Sequence, residues 1–155
     1  MLLSLKKTAN LTPSVIQQQD QKDCGVACLL SLIRYYGGYN DFENLHRLSG
    51  ATITGTTMLG LYQAARATGF DAEGCEADME ALLAHPSPCI LHLLLENKLQ
   101  HYVVYFGKKE NNGKLQLIIG DPAKGMVYMT PAKLEIIWQS KACLVLTPNE
   151  NFQKK

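Results

Sequence analysis

The stretch Gln18-Gln19-Asp20-Gln21-Lys22-Asp23-Cys24-Gly25 places a cysteine at the start of a strongly apolar helical pattern. A helix N-terminus presents unpaired N–H groups and about half a positive charge, which favours an anionic sulfur, the nucleophilic form of cysteine. Gly25 is read as leaving the approach to that sulfur open, and Asp23 as a helix cap and nothing more. A thiolate attacking a carbonyl also needs a general base and a donor for the developing oxyanion. Gln18 lies in the segment leading into the helix, where its side-chain amide could act together with the Cys24 N–H. Gln17 and Gln19 are rivals that spacing alone does not separate.

The base must come from elsewhere in the chain. His101 opens one strand-like run (HYVVYFG) and Asp121 closes the next (LQLIIGD). If the two form a hairpin turning about Asn111, His101 faces Asp121 on the same side of the sheet. A carboxylate there holds the imidazole in one tautomer and stabilises the imidazolium. A two-residue turn at Asn112-Gly113 would instead move Asp121 to the opposite face, so a longer or bulged turn is expected.

Each residue also has a plainer reading. A lone cysteine near a helix start is usually a small buried hydrophobe; His101 alone suits a structural hydrogen bond, Asp121 before Pro122 a turn, and Gln18 a solvated loop. It is the set that points to thiol-based acyl chemistry. Cys28, four residues after Cys24 on the same helical face, reads as core packing, as do Cys75, Cys89 and Cys143 in core or edge positions. His46 reads as solvated, His85 as a loop residue, and His92 as a structural histidine inside an apolar strand.

The elements that must position this chemistry follow from periodicity. Helices are expected over 24–36, from the cap Asp41 to Gly50, over 57–68, over 79–84, and from Pro131 to about Trp138. Strands are expected over 89–95, 101–107, 115–121, 126–129 and 143–147, with 108–114 as a polar turn. Helices first and antiparallel strands afterwards make an α+β arrangement, its two halves packed on one core. The 155 residues suit one domain: a lead-in over 1–15, the domain over 16–148, and a polar tail or linker start over 149–155.

Composition excludes several classes. A net charge of +1 without a basic stripe argues against nucleic acid. Five cysteines without a Cys-x-x-Cys pair suit neither a disulfide framework nor a zinc site, so no metal is expected. The longest apolar run, Cys89 to Leu95, is far short of the roughly 20 residues that span a bilayer.

Gln18, Asp23-Cys24-Gly25, Ala27-Cys28-Leu29, Tyr35-Tyr36-Gly37, Gly55-Thr56-Thr57, Gly60-Leu61, His101-Tyr102-Val103-Val104 and Asp121-Pro122 stand in the order of one known group. Over residues 16 to 148 the chain resembles the cysteine peptidase domain at the N-terminus of peptidase-containing ABC transporters, which process and export bacteriocins and peptide pheromones. The resemblance implies a papain-like fold and cleavage of a leader peptide after a double-glycine motif, on the cytoplasmic side of the bacterial inner membrane. By motif position it implies Cys24 as nucleophile, His101 as base, Asp121 as orienting acid and Gln18 as oxyanion donor. The implied partners are the leader of a precursor peptide and the membrane and ATPase regions of a transporter. No cofactor is implied for the peptidase itself; ATP and magnesium would belong to the ATPase region, and no Gly-Lys-Ser/Thr loop is present here. The chain is therefore expected to be an excised domain or a free-standing relative. Relatives that lack the cysteine only dock their cargo, and a catalytically silent leader-docking domain is the alternative. The resembled leader binds as an amphipathic helix, for which Met58, Leu59 and Tyr62 are candidates beside ordinary core packing.

Overall fold

Val26, Leu29, Leu30 and Ile33 recur at helical spacing, and in the computed structural model, which describes residues 11–52 and 55–154, they lie on a helix α1 (Cys24–Tyr35). Its residues Cys24 to Ile33 are all buried, so α1 is a central element rather than a surface one. The next helices start where short polar side chains cap them. Asp41 accepts the Asn44 N–H ahead of α2 (Phe42–Ser49), and Thr57 accepts the Gly60 N–H ahead of α3 (Met58–Ala67). Such a cap contributes about 1 kcal/mol. Gly50, at φ +67°, ends α2 in the left-handed conformation that glycine adopts without a Cβ penalty.

Strands β1 (Phe70–Glu76), β2 (Cys89–Leu94), β3 (Gln100–Asn111), β4 (Lys114–Asp121), β5 (Gly125–Met129) and β6 (Ala142–Pro148) form one antiparallel sheet in the order β1-β6-β2-β3-β4-β5. Helix α4 (Met79–Ala84), capped by Asp78, follows β1, and α5 (Pro131–Ile137), capped by Thr130, precedes β6. The expected α+β architecture, helices packed on an antiparallel sheet, is the one found.

Three expectations are corrected. The segment 70–76 is a strand that periodicity did not reveal. FDAEGCE has no β-branched residue, and it is held as an edge by pairing with β6 from Phe70↔Pro148 to Glu76↔Ala142. Residues 108–111 and 114 are not turn but strand, and only Asn112 and Gly113 turn, at φ +55° and +79°. Two positive φ values in succession give the turn whose twist matches a hairpin, and an exposed hairpin end needs no apolar residues.

Nor is there one core. The sheet carries apolar residues on both faces with a period of two. Ile90, Tyr102, Val104, Leu144 and Leu146 pack with α1 to α3. Leu91, Val103, Tyr105, Cys143 and Val145 form a second cluster with Leu134 and Trp138 at α5 and Leu82 of α4.

The chain ends also take part. Val15 lies against Gly120, and Phe152, in the segment expected as a polar tail, packs on Phe70 with ring centroids 5.1 Å apart. The first ten residues of the lead-in, and Lys155, lie outside the described residues. No described helix is long and apolar enough to cross a membrane.

Candidate active site

Three element ends converge. Cys24 is the first residue of α1, His101 the second of β3, and Asp121 the last of β4. Asn111 pairs with Lys114 and Gly107 with Ile118, the register of the tight turn, which by itself would put Asp121 on the wrong face. The predicted irregularity is present, though not in the turn. A bulge at Phe106, between Tyr105 and Gly107, shifts the register so that Val104 pairs with Gly120. One extra residue restores the parity, and on the shifted register His101 and Asp121 share a face as diagonal neighbours rather than as a direct pair.

The His101 Nε2 donates to Asp121 Oδ1 at 2.8 Å. With Nε2 so engaged, the other ring nitrogen is the one left for Cys24, whose sulfur raises the imidazole's proton affinity. Cys24 and His101 are buried, at 7% and 4% exposure. Burial pulls the imidazole down, but the hydrogen bonds and charges of Asp121 and Cys24 outweigh it and hold His101 at about 9. For Asp121, burial pushes up, while the His101 and Ala123 hydrogen bonds and the charges of His101 and Lys124 bring it below the usual carboxylate range. An imidazolium at neutral pH beside a cysteine sulfur is the arrangement thiol acyl transfer requires.

Of the three glutamines, Gln17 and Gln19 are exposed and Gln18 is half-buried. Gln18 donates its backbone N–H to the Pro122 carbonyl at 3.0 Å, which ties its segment to the residue after Asp121. Its Oε1 is buried without a partner.

Three sequence readings change. Gly25 does not open an approach: a Cβ there would lie 3.2 Å from Leu61 and from Tyr102, so the glycine lets α1 sit close to α3 and β3. Asp23 makes no side-chain cap to α1. It is buried, accepts the Asp20 N–H at 3.0 Å, and accepts from His46 Nε2 at 2.8 Å, so His46 is not simply solvated. Cys28 is core as expected, and burial pushes its thiol well up, with Cys24 and Asp121 adding to the effect. Cys75 and Cys143 face each other across β1 and β6 with sulfurs 3.0 Å apart, away from the site in the second core. His92 contacts Ser140 Oγ at 3.1 Å and Gln100 Oε1 at 3.2 Å, a structural role.

Cys24 opens onto a groove of about 910 Å³. One wall comes from Gly50, Thr52 and residues 55–58, the other from Leu99, Gln100 and Tyr102. Met58 and Leu99, the latter from the loop before β3, line it, and Leu59, next to Met58 in the chain, is 63% exposed. Tyr62 does not line the groove; its hydroxyl accepts from Arg66. Leu99 and Gln100 gave no signal in the sequence, because nothing in a β2–β3 connection marks it as a wall opposite α3.

Residues 12–151 match the Peptidase C39 family. The lactococcin-G-processing and transport ATP-binding protein LagD of Lactococcus lactis subsp. lactis is 36% identical over 126 residues, 80% of this chain and 17% of LagD. The peptidase domain of Streptococcus ComA, a bi-functional ABC transporter involved in a quorum sensing pathway, superposes with a TM-score of 0.79 at 34% identity, over 89% of this chain and all of that domain. A double glycine motif protease from an AMS/PCAT transporter, solved with its leader peptide, gives a TM-score of 0.78 at 28% identity, over 90% of this chain and 94% of that one. The chain spans less than a fifth of the length of its curated relatives.

Proposed function

The chain belongs to the Peptidase C39 family of cysteine peptidases, and from that premise we propose that it removes the leader of a bacteriocin or pheromone precursor by cutting directly after a Gly-Gly pair. The observation that carries this is His101 hydrogen-bonded to Asp121 and electrostatically coupled to Cys24, which opens onto the groove.

In this reading the Cys24 proton already resides on the His101 imidazolium, and the sulfur attacks the carbonyl carbon of the second glycine. The oxyanion is met by the Cys24 backbone N–H and the Gln18 side-chain amide. As the tetrahedral intermediate collapses, the C–N bond breaks and His101 returns the proton to the leaving amine, freeing the mature peptide. Water, deprotonated by His101, then attacks the thioester and releases the leader with a free carboxylate. Asp121 stays ionised throughout and keeps the imidazole aimed. The reaction needs no cofactor at this site.

The groove suits the apolar face of a leader helix, with Met58, Leu59 and Leu99 as contacts. Glycine at the two positions before the cut is what a narrow passage beside the nucleophile would select, and Tyr102 lines the groove with Cys24. The remaining partners in this reading are a membrane region and an ATPase region of an ABC transporter, with the peptidase on the cytoplasmic side and ATP and magnesium used by the ATPase; the transport ATP-binding relatives support it.

The test is cleavage of a synthetic double-glycine leader peptide by wild type and Cys24→Ala, read by mass spectrometry. A cut after the second glycine by wild type alone is expected. Equal cutting by Cys24→Ala would refute the mechanism. Binding without a cut by either protein would make the domain a docking module.

A further inference from the structure

The peptidase mechanism makes no use of the Asp23 carboxylate, although it is buried immediately before the nucleophile. Its two oxygens are both engaged. Oδ2 accepts the Asp20 N–H at 3.0 Å, inside the turn 20–23, and Oδ1 accepts from His46 Nε2 at 2.8 Å. Asp20 returns the bond by accepting the Lys22 N–H at 2.9 Å, so the turn that delivers the chain to Cys24 is closed on itself and pinned to α2.

Docking of α1 does not require this. The helix is buried along Cys24 to Ile33 by apolar contact, and Asp23 gives it no cap. A buried carboxylate loses hydration that an apolar residue of similar size would not, so such a pair is weak evidence for stability and better evidence for a fixed geometry. What it fixes is informative. His46 sits on α2, whose Ser49 carbonyl lies so close to Gly60 that a Cβ there would be 2.2 Å away; α2 and α3 therefore move together. Of the described residues between them, Gly50, Thr52 and residues 55–57 line the groove. Asp23–His46 is thus the polar link between the nucleophile's turn and the wall that holds the substrate.

We propose that Asp23 and His46 are positioning residues for the peptidase reaction: their hydrogen bond locks the turn before Cys24 to the groove wall and so sets the aim of the sulfur at the scissile carbonyl. This rests on the peptidase reading above, and it predicts an effect on the chemical step rather than on substrate affinity. A misplacement of about 1 Å at a reacting atom can cost roughly 100-fold in rate.

The experiment compares wild type, His46→Ala and His46→Gln by three readouts: the rate of Cys24 alkylation by iodoacetamide, located by peptide mass spectrometry; kcat and KM for a double-glycine leader peptide; and thermal unfolding. In His46→Ala, alkylation of Cys24 and kcat should each fall about tenfold or more with KM within about twofold, the signature of an interaction acting on the reacting geometry. His46→Gln places an N–H donor at about the reach of Nε2 and should recover most of both rates. A merely structural pair would lower Tm and leave both rates within about twofold of wild type well below Tm, and that result overturns the proposal. Should His46→Ala not fold, Asp23→Asn decides by the same readouts: slowed alkylation supports the link, and wild-type alkylation overturns it. Alkylation needs no peptide, so a wild type that cuts no leader while alkylation still falls in the variant would sink the substrate reading and keep the link.

Discussion

Asp121 Oδ1 accepts two hydrogen bonds at once, from His101 Nε2 at 2.8 Å and from the Ala123 backbone N–H at 2.9 Å. The second bond holds the carboxylate within the turn after β4, so the atom that orients the imidazole is itself oriented. Its consequences can be measured.

Asp121→Ala should lower kcat by about 100-fold or more with little change in KM, since a positioned acid–base pair contributes roughly 100- to 10,000-fold. Asp121→Asn, whose carbonyl oxygen can still accept from Nε2–H, should lose less. Steady-state cleavage of the leader peptide by the two variants checks the order. Equal loss would mean that the charge of Asp121 matters and its acceptor geometry does not.

The His101 value sets the pH dependence. It is raised from 6.5 to about 9 in the folded protein, so the stabilisation it contributes is fully present below about 6.5 and is lost as pH rises through about 9. Activity that uses the imidazolium as acid follows the same limb, and kcat should be flat through neutrality and fall as pH rises through about 9. Because Cys24 also raises His101, the imidazole in Cys24→Ala should titrate at lower pH than in wild type, read by the ring-proton NMR shift. An unchanged titration would show that the two side chains do not interact.

Gly60→Ala tests the contact between α2 and α3. Alanine is favoured over glycine in a helix by about 1 kcal/mol. Here, however, the new Cβ would sit 2.2 Å from the Ser49 carbonyl oxygen, a backbone atom with no rotamer to yield. Overpacking of this kind costs roughly 1–3 kcal/mol, so a net loss of stability is expected in urea unfolding. A gain would mean that the two helices separate freely.

Much of the site was legible because its chemistry is carried by local features. The cysteine falls at a helix start that Val26, Leu29, Leu30 and Ile33 announce by spacing, and His101 and Asp121 bound two recognisably β-rich runs. The cap Asp41 acts within a few residues of itself and was readable for the same reason. Strand β1 was not, because an edge strand of weak propensity exists only through its partner β6.

From the sequence alone came the residue types, their order, the helices and most strands, and the requirement that an irregularity bring His101 and Asp121 to one face. These depend on short-range preferences and on the parity of a strand, both written in neighbouring residues. The tertiary structure decided the rest. It put the irregularity at Phe106 rather than in the turn, left Gln18 half-buried where its rivals are exposed, made Gly25 a packing residue, and paired Asp23 with His46. Each of those outcomes depends on which distant groups arrive together and which lose their water, and burial and pairing of that kind are properties of the assembled fold.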